Sequence, residues 1–199
     1  MTDSYFTIEK PSSFEIKINK SAFISQAFPF KSQLEIPEII KAVKKKYYDA
    51  SHHPYAFRAG LNKNNFRTSD DGEPSGSSGK PVLEAIDKHK LTDILVVVTR
   101  YFGGIKLGVG GLRRAYFEAA DECLNNSKTT EKFITEIKDI VFDYKYMNLI
   151  MNLIEEEKIR LIENNSGEKC SLKLDIRLSL IDKIKNSVSK ITNGSAEIS

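Results

Sequence analysis

The spacing of apolar residues predicts a mixture of strands and helices over the first two thirds of the chain. Phe14, Ile16 and Ile18 alternate with polar residues, which predicts a half-buried strand, and the β-rich run at 22–30 follows a turn and completes a hairpin. The nearly unbroken apolar run at 94–98 predicts a strand that is covered on both faces and is therefore central. Shorter strands are predicted at 54–61 and 66–69. Helices are predicted to begin near residues 37, 81 and 112, where apolar residues recur at helical spacing.

The last third of the chain has a different order of elements. Residues 134–198 predict a strand, a helix, two strands joined by a turn at 164–167, a second helix and a last short strand. This βαββαβ order is typical of a ferredoxin-like domain. The polar residues 125–128 end the preceding helix and form the predicted linker. We therefore expect an α+β protein with two domains, at 1–128 and 129–199.

The composition is that of an ordinary globular protein. Hydrophobic residues make up 40% of the 199 residues and charged residues 29%, and no apolar run approaches the length of a membrane span. The first residues lack the basic start and apolar core of a signal peptide, so we expect a cytoplasmic protein with no membrane partner. Cys123 and Cys170 lack CxxC spacing and are predicted to be reduced core thiols. The net charge of +3 permits a nucleic-acid or ribosome partner but does not establish one.

Most of the glycines lie in two short stretches. Residues 70–81 are acidic, then small, and then run into a helix; residues 99–114 combine glycines with basic and aromatic residues. Glycine permits positive φ and close approach of the main chain, at an entropic cost that calls for a reason. We expect two loops that meet on one face of the N-terminal domain.

Two common phosphate-binding motifs do not fit these stretches. A P-loop would need glycine where Pro74 stands, and Lys80 is followed by Pro81 instead of serine or threonine. The dinucleotide fingerprint fails at Arg113, where it needs a glycine. A serine-hydrolase elbow is also missing, because residues 76–79 are one residue too short for GxSxG.

A simpler anion site remains possible at a helix start. The main-chain N–H groups of residues 108–111 could hold a phosphate, with Lys106, Arg113 and Arg114 adding positive charge. Residues 76–79 could do the same, but the neighbouring acidic residues would repel an anion. We therefore favour the second glycine stretch.

The acidic residues have two readings. Asp70, Asp71 and Glu73 could hold a divalent cation or act as acid and base, with His52 as a further catalytic candidate. The preferred reading is structural: they cap turns and pair with Arg67, Arg100 or Lys80. We expect neither a metal nor another cofactor.

A set of basic residues and glycines is predicted to contact nucleic acid or another anion. The alternative is that Tyr101 and Phe102 are core residues and that the arginines tie the loops to the acidic residues; both readings can hold for different members of the set. The predicted binding residues are Arg58, Arg67, Lys80, Arg100, Lys106, Gly108, Gly110, Gly111, Arg113 and Arg114.

Three motifs carry a resemblance to a known family. Residues 70–76 (Asp-Asp-Gly-Glu-Pro-Ser-Gly) with 79–81 (Gly-Lys-Pro) resemble the first signature of the IMPACT/YigZ family. Residues 100–108 with 110–112 resemble its second signature, and 52–58 resemble the His-then-aromatic stretch that precedes both. The resemblance covers about residues 10–126, and the remainder is similar, more loosely, to the bacterial two-domain members.

The resemblance implies a fold and a direction for the function. It implies a ribosomal protein S-five domain two-like fold for the N-terminal domain and, for the C-terminal domain, similarity to the last domain of elongation factor G. The eukaryotic members regulate translation through protein–protein competition, and the family supplies no catalytic residues. We expect a non-catalytic, translation-associated regulator that binds RNA or the ribosome. The alternatives are an enzyme or binding protein for a small phosphorylated or nucleotide-like ligand, and a protein-interaction module.

Overall fold

The computed structural model describes residues 3–62 and 64–199. The chain folds into two compact units, which we call the first unit (Tyr5–Lys132) and the second unit (Phe133–Ser199 with the N-terminal residues up to Ser4). The sequence placed the division after residue 128. Residues Thr129–Phe133, at the start of the predicted second domain, form a strand, β7, which pairs with β1 (Ser4–Ile8) in a two-stranded sheet. The sequence analysis predicted neither of these strands.

A five-stranded antiparallel sheet forms the centre of the first unit. Its spatial order is β2 (Ser12–Ile18), β3 (Ser21–Pro29), β6 (Ile94–Tyr101), β4 (Tyr55–Arg58) and β5 (Phe66–Ser69). The central position predicted for the apolar run at 94–98 is confirmed. The hairpin of β2 and β3 is confirmed as well, and Asn19 and Lys20 at its turn have positive φ.

Helices cover both faces of this sheet. α2 (Gly79–Lys88) and α3 (Gly108–Asn125) lie on one face, where Val96 and Val98 belong to their core cluster. α1 (Ile36–Lys46) lies on the other face with Leu95 and Val97. Burial on both faces explains why β6 shows no polar alternation. Pro37 lies in the first turn of α1. N–H groups in this turn have no partner within the helix, so proline costs no helical hydrogen bond there.

Two helices begin earlier than the sequence predicted. α2 begins at Gly79 instead of near residue 81, and α3 begins at Gly108 instead of near residue 112. Residues 108–114 of the second glycine stretch are therefore the start of a helix, and the loop that remains between β6 and α3 is residues 102–107. The sequence did not predict this start because glycine has a poor helix propensity. Tertiary packing of the longer helix overrides that propensity.

The second unit contains the order of elements that the sequence predicted. β8 (Thr135–Asp143), α4 (Met147–Glu156), β9 (Arg160–Asn165), β10 (Lys169–Arg177), α5 (Ile181–Ile191) and β11 (Glu197–Ile198) follow one another, and the sheet order is β11–β8–β10–β9. Leu172, Leu174 and Ile176 alternate along β10 and share one core with the apolar residues of both helices. The chain as a whole is thus mixed α/β.

Each unit encloses one cysteine thiol. Cys123 lies on α3 in the core of the first unit, and Cys170 lies on β10 in the core of the second. Both are free and fully buried, which confirms the prediction of reduced core thiols. Burial raises the pKa of the Cys123 thiol. In the described part of the chain, no helix is both long enough and apolar enough to cross a lipid bilayer.

Candidate functional site

The acidic loop is built around the carboxylate of Asp70. It accepts hydrogen bonds from the main-chain N–H groups of Gly76 (2.8 Å), Ser78 (3.1 Å) and Gly79 (2.9 Å), and from the Ser78 hydroxyl (2.8 Å). Burial opposes ionisation, but these hydrogen bonds outweigh it and lower the pKa of Asp70. Asp70 therefore closes the loop and caps the start of α2, as the structural reading predicted.

Asp71 and the two histidines join this loop to α1. One carboxylate oxygen of Asp71 accepts from Lys44 Nζ (2.6 Å) and the other from the main-chain N–H of His53 (2.8 Å). Burial raises the pKa of Asp71, and the bonds from Lys44 and His53 bring it below its ordinary value. His52 Nδ1 lies 2.9 Å from the Asp71 carbonyl oxygen. Among residues 3–62 and 64–199, no three His, Cys, Asp or Glu side chains cluster in a way that could hold a metal ion.

The third acid, Glu73, belongs to a buried cluster of three polar side chains. Glu73 Oε1 accepts from Arg100 Nη1 (2.6 Å) and from the Tyr116 hydroxyl (2.7 Å). Exposed fractions are only 9% for Glu73, 5% for Arg100 and zero for Tyr116. Burial, followed by the bond to Glu73, raises the pKa of Tyr116. The predicted pairing of an acidic-loop residue with Arg100 is confirmed for Glu73.

The sequence analysis did not single out Tyr116 as a member of the site. A signal was nevertheless available: a buried carboxylate and guanidinium need further hydrogen-bond partners, and a tyrosine on the core face of the neighbouring helix can supply one. Phe23 stacks edge-on against Tyr116 with ring centres 5.1 Å apart, so the phenol is fixed in place.

An open cavity of about 390 Å³ lies over this buried cluster. Arg100 and Glu73 contribute to its floor, and Phe102, Leu107 and Val109 provide apolar walls. The Arg100 guanidinium lies 5.3 Å from the centre of the Phe102 ring, and its Nε has no hydrogen-bond partner among the described residues. Phe102 and Val109 are each about half exposed, at 48% and 54%. The cavity thus joins a cationic floor to accessible apolar walls.

The N-terminus of α3 borders the same cavity. Its N-cap residue, Leu107, makes no side-chain capping hydrogen bond within the described part of the chain, and the first N–H groups of the helix carry the positive end of its dipole. Gly108 has φ +71°, and a Cβ built on Gly108 or Gly110 would meet no atom within 4 Å. Main chain is therefore accessible here, and Lys106 is an exposed cation on the cavity wall.

The structure brings the two glycine stretches together. Arg113 Nη1 donates to the Gly76 carbonyl (2.7 Å), and its Nη2 lies 3.0 Å from Glu84 on α2. Arg113 therefore links α3 to the acidic loop and to α2. Lys80 and Arg114 are exposed at the starts of α2 and α3.

Two predicted binding arginines lie away from this cavity's lining. Arg58 bonds to Asp87 on α2 through Nε (2.6 Å), and its guanidinium lies over the Phe66 ring. Arg67 lies on β5 and lines a different cleft, beside α1. Of the predicted binding set, the cavity lining includes Arg100, Lys106 and Gly108. Gly110 and Gly111 follow in the first turn of α3.

The first unit matches a known domain family. The model of the Impact N-terminal domain matches residues 19–124, which include the acidic loop, the buried cluster and α3 up to its last turn. The protein "IMPACT family member YvyE" of Bacillus subtilis is 36% identical over 198 residues, covering all of this chain and 91% of the relative. "IMPACT family member YigZ" of Escherichia coli is 33% identical over 135 residues, or 67% of this chain and 65% of the relative.

A solved structure agrees with the sequence relatives. A crystal structure described as that of "an hypothetical protein" aligns over the whole chain and 97% of its own length, with 26% identity and a TM-score of 0.74. The sheet, its helices and the glycine-rich cavity thus define an α/β protein with an Impact N-terminal domain. The chain belongs to the IMPACT family.

Proposed function

We propose that this chain is a non-catalytic, translation-associated regulatory protein that binds RNA or the ribosome in the cytoplasm. The observation that carries the proposal is the exposed N-terminus of α3, which lies beside the accessible Phe102 ring and the Lys106 ammonium. The regulatory role follows the family resemblance; the RNA contact follows the chemistry of the cavity.

The fold assignment is part of the proposal. We infer a ribosomal protein S-five domain two-like fold for the first unit and a ferredoxin-like fold for the second, similar to the last domain of elongation factor G. The β11–β8–β10–β9 order and the βαββαβ succession of the second unit support the latter assignment. Two such domains are consistent with a partner in the translation machinery. Fold similarity is an analogy and does not identify the binding residues.

The chemistry of the cavity suits a single-stranded nucleic acid. A phosphate fits the uncapped helix start, where main-chain N–H groups and the helix dipole favour an anion. Lys106 adds a point charge that releases counterions on binding. An exposed aromatic ring such as Phe102 offers a stacking surface that any unpaired base can use.

The acidic loop supports a non-catalytic reading. Asp70 accepts hydrogen bonds from its own loop, Asp71 pairs with Lys44, and Glu73 pairs with Arg100. Contacts of this kind are typical of structural ion pairs and turn caps, so the fold itself accounts for all three carboxylates.

Salt-dependent RNA binding tests the proposal. We expect a single-stranded RNA of about twelve nucleotides to bind with a Kd in the range of about 10⁻⁴ to 10⁻⁶ M, and to bind more weakly as salt rises. Lys106→Glu with Arg114→Glu should weaken it strongly. A matched control, Lys10→Glu with Lys45→Glu, makes the same charge change at exposed sites elsewhere in the first unit. Equal effects of both pairs, or no salt-sensitive binding, would remove the proposal.

A second candidate rests on the volume of the cavity. About 390 Å³ with a buried Arg100–Glu73 floor also suits one small phosphorylated or nucleotide-like ligand. Thermal-shift screening of a metabolite pool, with and without Mg²⁺, separates the two candidates. A saturable stabilisation by one mononucleotide, with no added affinity for longer RNA, would favour the small ligand.

A further inference from the structure

The outer edge of β5 and the cleft beside it form a site that is separate from the α3 cavity. β5 is the last strand of the five-stranded sheet, so only β4 pairs with it in the described chain. We propose that this edge accepts an extended, acidic peptide segment of a partner protein as an additional strand. This proposal does not depend on RNA binding.

The hydrogen-bonding register fixes which main-chain groups face outward. The Ala59 N–H donates to the Asn65 carbonyl (2.9 Å), and this pair continues the register in which Phe57 lies opposite Arg67. Hydrogen-bonded pairs alternate along antiparallel strands, so Arg67 and Ser69 direct their main-chain groups toward β4. Phe66 and Thr68 therefore direct theirs to the outer edge.

The other side of β4 gives the same answer. The Val98 N–H donates to the Pro54 carbonyl (2.9 Å), which makes Ala56 and Arg58 the β4 residues that bond to β6. Tyr55 and Phe57 are left to bond to β5, in agreement with the first register. An edge strand with outward N–H and C=O groups is a template for a further strand.

A cleft of about 510 Å³ lies beside this edge, between α1 and the β4–β5 ladder. Ile36, Ile40 and Lys44 line it along one side of α1 at intervals of four residues, a distance of about 12 Å. Phe57 and Arg67 line the opposite side, because residues paired across a ladder share a face. An added strand would direct every second side chain into this cleft.

Charge defines the chemistry of the occupant. Lys44 is already neutralised by Asp71 at 2.6 Å. Arg67 is exposed and has no hydrogen-bond or ion-pair partner within residues 3–62 and 64–199. Next to it, the half-buried Ile40 lines the cleft, and the buried side chains of Ile36 and Phe57 form its apolar base. The fitting segment places an aspartate or glutamate toward Arg67 and apolar side chains at the neighbouring positions on the same face. Main-chain pairing supplies affinity in this mode, and the alternating pockets supply specificity.

A peptide selection on two forms of the protein tests the proposal. A random library of peptides of about eight residues, a common strand length, is selected on the unaltered chain and on Thr68→Pro. Proline removes the outward N–H of Thr68 but no bond to β4, and edge positions tolerate it. We expect enrichment of peptides with an acidic residue between apolar ones at alternate positions on the unaltered chain only.

The best-enriched peptide then gives quantitative tests. N-methylation of its edge-facing amides should weaken binding by at least about tenfold, because it blocks strand pairing but keeps the side chains. Arg67→Glu should weaken binding similarly, and Arg67→Lys should recover part of it. The amide hydrogen of Thr68 should exchange more slowly in the complex. This readout and the N-methyl peptide both use the unaltered fold.

Three results would overturn the proposal. One is the absence of any enriched peptide on the unaltered chain. Another is equal binding of the N-methylated and unmodified peptides, which would make the cleft a site for side chains or small anions only. The third is tight binding that Arg67→Glu leaves unchanged.

Discussion

Arg100 Nη1 lies 2.6 Å from Glu73 Oε1, and both side chains are almost completely buried. This ion pair connects the acidic loop to the central strand β6, and the Tyr116 hydroxyl completes it from α3 at 2.7 Å. Three separate parts of the first unit thus meet at one carboxylate. The cavity floor consequently depends on a few strong contacts.

Breaking this pair should be strongly destabilising. Glu73→Gln leaves the Arg100 charge buried without its partner, and we expect a loss of about 3–5 kcal/mol in the free energy of unfolding. Tyr116→Phe removes one hydrogen bond and should lose about 1–3 kcal/mol. Urea denaturation measures both. As a control, Glu84→Gln breaks the exposed contact with Arg113 and should change stability by less than about 1 kcal/mol. A Glu73→Gln protein as stable as this control would contradict the buried-pair account.

The Asp70 carboxylate should make stability depend on acidity. Its pKa in the folded protein lies below the ordinary value of 3.8, so folding favours the charged form. The stabilisation is therefore fully present above the ordinary pKa and is lost as the pH falls through the lower, folded pKa. Asp70→Asn should be less stable than the unaltered chain at neutral pH, and the gap should narrow below about pH 4. Denaturation curves from pH 7 to pH 2 measure it; a gap that stays constant would argue against this role.

Two glycines near the cavity should respond to alanine in opposite ways. A Cβ on Gly103 would overlap the main-chain atoms of Lys20 and Ser21, so Gly103→Ala should destabilise by about 3 kcal/mol. A Cβ on Gly110 meets nothing within 4 Å, and this residue lies inside α3. Gly110→Ala should stabilise by about 0.5–1 kcal/mol, since alanine loses less backbone entropy in a helix. Thermal unfolding of both variants measures the contrast, and equal shifts would refute it.

Stacking and charge at the cavity should separate in RNA-binding experiments. Phe102→Ala should weaken binding by about 1–3 kcal/mol and leave the salt dependence unchanged, because the ring carries no charge. Lys106→Ala should instead reduce the slope of log K against log salt by about 1. The control is Tyr48→Ala. Tyr48 is an aromatic residue near the end of α1 that is 83% exposed, and its replacement should change neither the affinity nor the salt slope. A salt slope altered by Phe102→Ala would show that the ring acts through folding and not through stacking.

The elements that the sequence predicted are those with local signals. β6 is a continuous apolar run, and the helical spacing of α1 and α5 follows directly from their sequences. The pairing of β1 with β7 joins residues more than a hundred positions apart, and β7 is mostly polar and only partly buried. No local period marks such a strand, because its partner is supplied by the tertiary fold.

The sequence predicted that the two glycine stretches meet, but it did not predict which side chains contact one another there. The glycine stretches identified the meeting of the two segments, and the Asp70 cap was among the readings that the motif allowed. A sequence cannot decide which of several acids an arginine will pair with, since that depends on contacts set by the whole sheet. In the structure, Arg100 forms an ion pair with Glu73, Arg113 with Glu84 and Arg58 with Asp87. Tyr116 joined the cluster through the turn of α3 that faces β6.

The two sealed thiols give the protein a built-in pair of reporters. Cys123 and Cys170 are each fully buried, one in the core of each unit. A small alkylating reagent can modify a buried sulfur only when the surrounding unit opens, so its labelling rate follows that opening. Peptide mass spectrometry distinguishes the two cysteines in a single sample. The opening rate of each unit can thus be measured separately on the unmutated chain, without introducing a probe.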